Sequence, residues 1–165
     1  MTAFCEETVK ELAARLLRKV VKRTPVGQKP ILLDKNGSKS VKSAVAKGKN
    51  GKNKSFLTRE GEILERYWSG YVGGSLRRGW QVSNVQKIGD EYVITVFNQL
   101  EYASYVEYGH RQTPGRYVPA LGRKLRVSWV PGKFMLTISE RELQASSMTI
   151  LEQRLTRLLE ENLNG

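Results

Sequence analysis

The feature that most limits what this chain can fold into is the stretch 27–57, which has no sustained apolar period. Between residues 28 and 54 the only acidic residue is Asp34. Eight lysines give that interval a net charge of +7: Lys29, Lys35, Lys39, Lys42, Lys47, Lys49, Lys52 and Lys54. Such a segment cannot bury enough apolar surface to offset the entropy lost on ordering it. We therefore predict a long, mobile, lysine-rich loop or arm, which either binds an acidic partner or is simply solvated.

The rest of the chain must supply the core, and helical patterns stand near both of its ends. Residues 3–23 carry an apolar stripe at 3–4 spacing, and Pro25 stops that helix. The pattern of 133–162 is helical again. Within it, Ser139 and Glu142 have the spacing of a capping box. This box either starts a separate helix or lies inside a longer one.

Shorter elements are predicted between the two ends. Thr58 is a plausible N-cap for a short helix. A β-hairpin should follow, with strands at 76–88 and 91–98 around a turn at Gly89-Asp90. Asn84 disturbs the period of the first strand. Both faces of the second strand are largely apolar, so both should be covered, one of them by a neighbouring subunit. Residues 101–109 read as a short helix, and residues 125–129 could form a third strand.

The overall charge favours acidic partners without choosing among them. The chain has 28 basic residues against 16 acidic ones, a net charge of +12. Nucleic acid, an anionic membrane surface or an acidic protein face would all fit. No apolar run reaches the roughly 18 residues that a membrane helix needs, so we expect no membrane-spanning helix. We predict no membrane partner. The first residues lack the pattern of a signal peptide, which predicts synthesis in a cytoplasm.

Catalytic and metal-binding patterns are missing from the sequence. One cysteine, Cys5, and one histidine, His110, are too few for a zinc site. No nucleophile elbow and no phosphate-binding loop can be found. His110 is expected to be a surface or interface residue. We predict no enzyme activity and no cofactor.

Four stretches resemble, in order, the head–tail joining (tail-completion, minor tail) family of long-tailed bacteriophages. They are the helix ending in Arg23-Thr24-Pro25-Val26, Gly74-Ser75-Leu76-Arg77-Arg78-Gly79-Trp80, the run from Asn98 through Tyr102-Ala103-Ser104-Tyr105-Val106-Glu107-Tyr108-Gly109-His110-Arg111, and Pro131-Gly132-Lys133-Phe134-Met135-Leu136. The third is the most specific. The family's Thr-Pro-Val segment usually runs almost directly into the second stretch. Here residues 27–73 intervene, as in versions from phages and phage-like particles of Gram-positive bacteria.

The resemblance implies an α+β fold with a small curved antiparallel sheet packed against N-terminal and C-terminal helices, as a single domain over 1–165. It also implies a virion protein made in the host cytoplasm, assembled as a six-fold ring at the head-proximal end of the tail or in the neck. Such a ring would touch the tail tube and the neck or connector proteins. The interface residues implied by the matching stretches, together with Phe97 of the two-faced strand, are Arg77, Arg78, Phe97, Tyr102, Tyr105 and Tyr108. Trp80 would pack the sheet.

Two further functions stay open beside joining. A tail terminator would control tail length from the same position. A basic nucleic-acid-binding module outside any virion would use the lysines of 28–54, and within a ring those lysines could contact packaged DNA independently of sequence. No stacking aromatic residues are interleaved with the lysines, which argues against a dedicated single-strand binder.

Overall fold

A computed structural model of the protein describes residues 2–28, 43–47, 53–57 and 59–163. Its helices in chain order are α1 (Thr2–Arg23), α2 (Arg59–Trp68), α3 (Ser75–Arg78), α4 (Ala103–Tyr108) and α5 (Met135–Leu163), with a single 3-10 turn at Pro119–Leu121. Its strands are β1 (Ser43–Lys47), β2 (Asn53–Leu57), β3 (Trp80–Val82), β4 (Gln86–Ile88), β5 (Glu91–Val93), β6 (Val96–Asn98), β7 (Gly109–Arg111), β8 (Tyr117–Val118), β9 (Arg123–Lys124) and β10 (Trp129–Pro131). The α+β class is thereby confirmed.

The described residues group into two compact units. The first unit contains residues 1–26, 74–110 and 131–165. The second contains residues 27–73 and 111–130. The second unit therefore includes the stretch 27–73, by which the sequence departs from the family that it resembles. A single domain over 1–165 stays a prediction.

The core of the first unit lies where its helices meet. Val20 of α1, Leu76 of α3 and Met135 of α5 are buried together. Trp80, Val106 and other partly buried apolar side chains pack around them. The 3–4 spacing of the apolar residues in α1 explains why one side of this helix faces the core. The predicted N-terminal and C-terminal helices are both confirmed as elements of this unit.

The predicted hairpin is present but interrupted. Strands β4 and β5 pair across the turn at Gly89-Asp90, and β3 pairs with β6 in the same antiparallel sense. Three residues, 83–85, face only 94–95 on the other side, so the register slips by one residue, as in a β-bulge. The Ser83 hydroxyl accepts the Thr95 N–H at 2.9 Å in place of a backbone carbonyl. Two two-stranded pairs thus stand where one curved sheet was predicted.

Two predicted strands need correction. Residues 76–78, predicted as the start of the first strand, belong instead to the helical turn α3, which places Leu76 in the core. Residues 125–128 are not a strand. The Leu125 backbone instead exchanges hydrogen bonds of 2.9 Å with Gly115 and Arg116. The capping box at Ser139 lies inside the long helix α5, where the Ser139 hydroxyl donates to the Met135 carbonyl at 2.6 Å.

The second unit has its own short elements. Strands β1 and β2 pair in antiparallel register from Ser43 opposite Leu57 to Lys47 opposite Asn53. Helix α2 packs beside the 3-10 turn, and the Trp68 indole N–H donates to the Ala120 carbonyl at 2.6 Å. The stretch 27–57, predicted as an arm without regular structure, therefore contains two paired strands. Thr58, the predicted N-cap, lies outside the described residues.

Candidate assembly surface

Thr24 links two of the family-matching stretches of the sequence. It is fully buried at the end of α1, where its hydroxyl donates to the Val20 carbonyl at 2.7 Å. The same hydroxyl accepts the indole N–H of Trp80 at 2.8 Å. The Thr24 carbonyl accepts both Nε and Nη2 of Arg77, at 3.1 and 2.7 Å. The end of α1 is therefore capped by Arg77 of α3, which donates to a carbonyl that the helix itself leaves without a partner, while Trp80 of β3 donates to the Thr24 hydroxyl.

The two arginines predicted at a subunit interface have different environments. The guanidinium of Arg77 is directed at Thr24 within the chain. Arg78 is exposed, and it forms no ion pair with any residue that the structure describes. Arg78 is thus available to an acidic neighbour, whereas Arg77 already stabilises the fold of its own chain.

Asn98 fixes the third stretch against the second. Its Nδ2 donates to the Leu76 carbonyl at 2.8 Å, and its Oδ1 accepts the Leu100 N–H at 3.1 Å. A Cβ on Gly79 would lie 2.7 Å from that oxygen. Glycine at position 79 therefore lets the asparagine reach α3, and the asparagine sets the path of the chain towards α4.

Glu107 caps the long C-terminal helix. Its side chain is buried, with 5% of its surface exposed. One carboxylate oxygen accepts the Leu136 N–H at 3.0 Å; the other accepts the N–H and the hydroxyl of Thr137 at 2.9 and 2.8 Å. The first N–H groups of a helix have no partner within it, and an anion at that end is favoured by the helix dipole. A buried carboxylate that satisfies three donors therefore joins α4 to α5.

Two glycines allow α4 and the start of α5 to approach closely. A Cβ on Gly132 would lie 2.1 Å from the Glu107 carbonyl oxygen and 2.8 Å from the Gly109 nitrogen. Gly109 ends α4 with φ of 88°, a conformation that favours glycine. The adjacent Lys133 and Phe134 N–H groups donate to the carbonyls of Val106 and Glu107 at 2.8 and 3.0 Å. The third and fourth family-matching stretches are thus one structural joint.

This joint presents a row of tyrosines, here called the tyrosine face: Tyr102, Tyr105 and Tyr108. Tyr102 directly precedes α4, and Tyr105 and Tyr108 lie within it. Their spacing of three residues places them along one side of this segment. Their exposed fractions are 43, 58 and 61%, although α4 itself is held by the buried Glu107. Tyrosines on a rigid support are enriched at protein interfaces, because they bring a large contact area at a low entropic cost. The tyrosine face can bind a protein surface.

His110 lies beside the tyrosine face. Its ring makes an edge contact with Tyr105 at 6.1 Å between centroids. Its Nδ1 is buried and finds no hydrogen-bond partner among the described residues. The part of the chain that the structure describes contains no cluster of acidic, histidine or cysteine side chains that could hold a metal ion.

The remaining predicted site residues are not gathered at this surface. Phe97 lies in β6, opposite Gln81, and is half-buried. Lys47 and Lys54 lie in β1 and β2, at neighbouring positions of their hairpin. The other lysines of the predicted arm lie outside the described residues: Lys29, Lys35, Lys39, Lys42, Lys49 and Lys52.

Ion pairs join α1 to α5 along the first unit. Lys19 and Arg23 both contact the Glu142 carboxylate, and Arg15 and Arg154 both contact Glu11. Hydrogen bonds from Lys19, and then from Arg23, hold the pKa of Glu142 below its ordinary value of 4.5. Those from Arg15 and Arg154 lower the pKa of Glu11 in the same way. Exposed pairs like these add little stability singly, but they fix how one helix lies along the other.

Sequence reasoning missed the roles of Thr24, Glu107 and Asn98. A signal for Glu107 was present, because a carboxylate two residues before a glycine stop has little reason to be buried except as a cap or an ion-pair partner. The donors that it satisfies are 29 residues away, however, and their partner cannot be read from local spacing.

An exposed row of aromatic side chains on a fixed support is a feature of proteins that bind other proteins. A family model described as "Bacteriophage HK97-gp10, putative tail-component" matches residues 2–109. The chain belongs to this family, and it is a structural component of a phage tail. No curated protein and no solved structure matches it significantly. Among the described residues, no helix is long and apolar enough to cross a membrane.

Proposed function

We propose that the protein forms a ring at the head-proximal end of the tail or in the neck, where it completes the tail and joins it to a filled head. The tail family supports a place in the virion. A closed ring, of six subunits by analogy with the family resemblance, repeats one contact around an axis and cannot grow into an open filament.

The observation that carries this proposal is the tyrosine face. Three large side chains are more than two-fifths exposed, yet the segment that bears them is fixed by the buried Glu107 carboxylate and by the close approach of the backbone at Gly132. A chain acting alone would gain little by holding exposed tyrosines so rigidly. A neighbouring subunit, or the top of the tail tube, would cover this row, and Arg78 would pair with an acidic side chain there.

The experiment is complementation of particles that lack the protein. Filled heads and normal tails that fail to join are expected without it. Tails of uncontrolled length would instead assign the terminator role. Tyr105→Ala should reproduce the unjoined state, while Tyr117→Ala, at an equally large tyrosine that is 45% exposed in the second unit, should restore infectivity. Equal complementation by both variants would overturn the role given to the tyrosine face.

The lysines of 28–54 have a separate proposed role in the ring. Several copies would concentrate positive charge around the axis, where it could meet the phosphates of packaged DNA or an acidic connector surface. A chain with Lys47 and Lys54 changed to Gln should keep its fold and lose part of its salt-dependent binding to duplex DNA. Binding that is tight in the isolated protein, combined with normal particles in its absence, would favour a nucleic-acid-binding module outside the virion.

A further inference from the structure

The side of α5 that faces away from α1 carries a second, unused apolar pattern. Ile138, Ala145, Met148 and Leu155 are all exposed, with values of 39% for Ile138, 65% for Met148 and 48% for Leu155. Arg141 and Glu152 occupy the two intervening places. Together these six positions, here called the α5 seam, alternate in steps of three and four residues. That spacing is the heptad pattern by which one helix packs along another.

The seam lies away from the contacts that α5 makes within its own chain. Met135, Ser139 and Ile150 are the buried residues of α5, and none of them belongs to the seam. Neither Arg141 nor Glu152 forms an ion pair with another residue in the described part of the chain. The apolar side chains of this row are costly to leave in water, and a partner that covers them must place opposite charges against Arg141 and Glu152.

The order of the residues identifies that partner. When a second copy of α5 lies antiparallel to the first, the two seams match. Ile138 of one copy then meets Leu155 of the other, Arg141 meets Glu152, and Ala145 meets Met148. Every layer then joins one residue to its complement: apolar to apolar, positive to negative, small to large. Continuing outward, Leu159 would meet Phe134, and both are exposed, at 53 and 42%. In an antiparallel helix pair the two kinds of core position face each other in this way.

We propose that, outside the particle, two copies of this protein pair through an antiparallel contact between their α5 seams. The contact is two-fold, so both copies use the same patch, and each dimer contains two Arg141–Glu152 pairs. From Phe134 to Leu159 it extends over about 38 Å at the rise of an α-helix. It uses residues distinct from the tyrosine face and does not depend on the ring proposed above. A cyclic ring contains no such two-fold contact, so the pair is a form of the protein before assembly.

Charge exchange tests the proposal most directly. Arg141→Glu alone places four carboxylates at the charged layers, and Glu152→Arg alone places four cations there. Each should weaken dimerisation of the full-length protein at least about tenfold in sedimentation equilibrium, because like charges meet in a desolvated contact. The double variant R141E/E152R restores both pairs and should return the dimer. Glu160→Arg, an exposed change on α5 outside the seam, should leave it unaltered.

Cross-linking fixes the direction of the pair. On a Cys5→Ser background, I138C mixed with L155C should give a disulfide between unlike chains. I138C alone should give none, since its two copies would lie about 25 Å apart along the axis. A protein that stays monomeric at high concentration, a double variant no better than the single ones, or efficient I138C homodimers would each overturn the proposal. The first result would leave the ring untouched, because that ring could still assemble on the tail.

Discussion

Glu107 and Thr24 show how single buried polar residues hold the first unit together. Each lies at a helix terminus, and each is hydrogen-bonded to groups that come from a different part of the chain. A buried donor left without an acceptor lowers the free energy of unfolding by the full cost of removing that donor from water. An intact hydrogen bond contributes much less to the free energy of unfolding. These two residues should therefore be more sensitive to small chemical changes than the apolar residues around them.

Glu107→Gln should destabilise the protein by about 1–3 kcal/mol, because one of the oxygens that caps α5 becomes an NH2 group facing N–H donors. Urea unfolding at neutral pH measures this change. Glu101→Gln, a change at an exposed glutamate before α4, is the matched control and should stay within about 0.5 kcal/mol of the parent. Equal midpoints for the two variants would contradict the capping role.

Thr24→Val keeps the shape of the side chain but removes its hydroxyl. The indole N–H of Trp80 then has no acceptor in a buried site, so we expect a loss of about 1–3 kcal/mol. Tryptophan fluorescence during unfolding would report both the midpoint and the changed environment of the indole. Thr95→Val, at an exposed position in the hairpin, provides the comparison. An unchanged midpoint for Thr24→Val would show that water or another group serves the indole.

At the scale of elements, α1 and α5 are held in register by charge. The Glu142 carboxylate of α5 forms ion pairs with Lys19 and Arg23 of α1. The Glu11 carboxylate of α1 forms one with Arg154 of α5. These carboxylates are partly exposed, so their effect on stability should be modest and sensitive to salt. Because these contacts lower the pKa of both glutamates, they also make the stability of the protein depend on pH in a definite direction.

The pKa of Glu142 is lower in the folded protein than its ordinary value of 4.5. Its ionised form therefore stabilises the folded state fully above about pH 4.5, and this contribution disappears as the pH falls through the lower folded value. In the parent protein the urea midpoint should decrease as the pH falls below 4.5. Glu142→Gln should make this decrease smaller. Glu140→Gln, which has no ion pair among the described residues, should keep the parent slope. Parallel curves for Glu142→Gln and the parent would refute the assignment.

At the scale of the whole molecule, the insertion 27–73 and the segment 111–130 belong to the second unit, while the family-matching joints belong to the first. Hydrogen bonds from Arg77 and Trp80 to Thr24 bring together the two places where the insertion leaves and re-enters the first unit. The first unit therefore already has the connections that a shorter member of the family would need.

Replacing residues 27–73 by a short Gly-Ser linker should leave a chain with a cooperative urea transition and intact α1 and α5. Circular dichroism and amide exchange of the capped helix ends would measure this. The amides of the remaining segment 111–130 should exchange faster with solvent, because the Ala120 carbonyl no longer accepts a hydrogen bond from the Trp68 indole. Loss of the cooperative transition would mean that the first unit needs the second in order to fold.

The sequence by itself determined the long helices, the turn at Gly89-Asp90 and the break in the strand period near Asn84. These features depend on periodicity and on turn chemistry within a few residues. It also determined that the lysine-rich stretch departs from the family pattern. The two-strand content of that stretch was not predictable from its weak apolar signal.

Only the tertiary structure decided that residues 75–78 turn into a helix and that Glu107, Thr24 and Asn98 are joints rather than surface residues. Each of these outcomes depends on donors or core partners 22 to 56 residues away. Local spacing predicts which face of a helix is apolar, but it contains no information on which distant N–H group a buried oxygen will meet. Hydrogen-bond satisfaction in the core is a property of the folded chain as a whole.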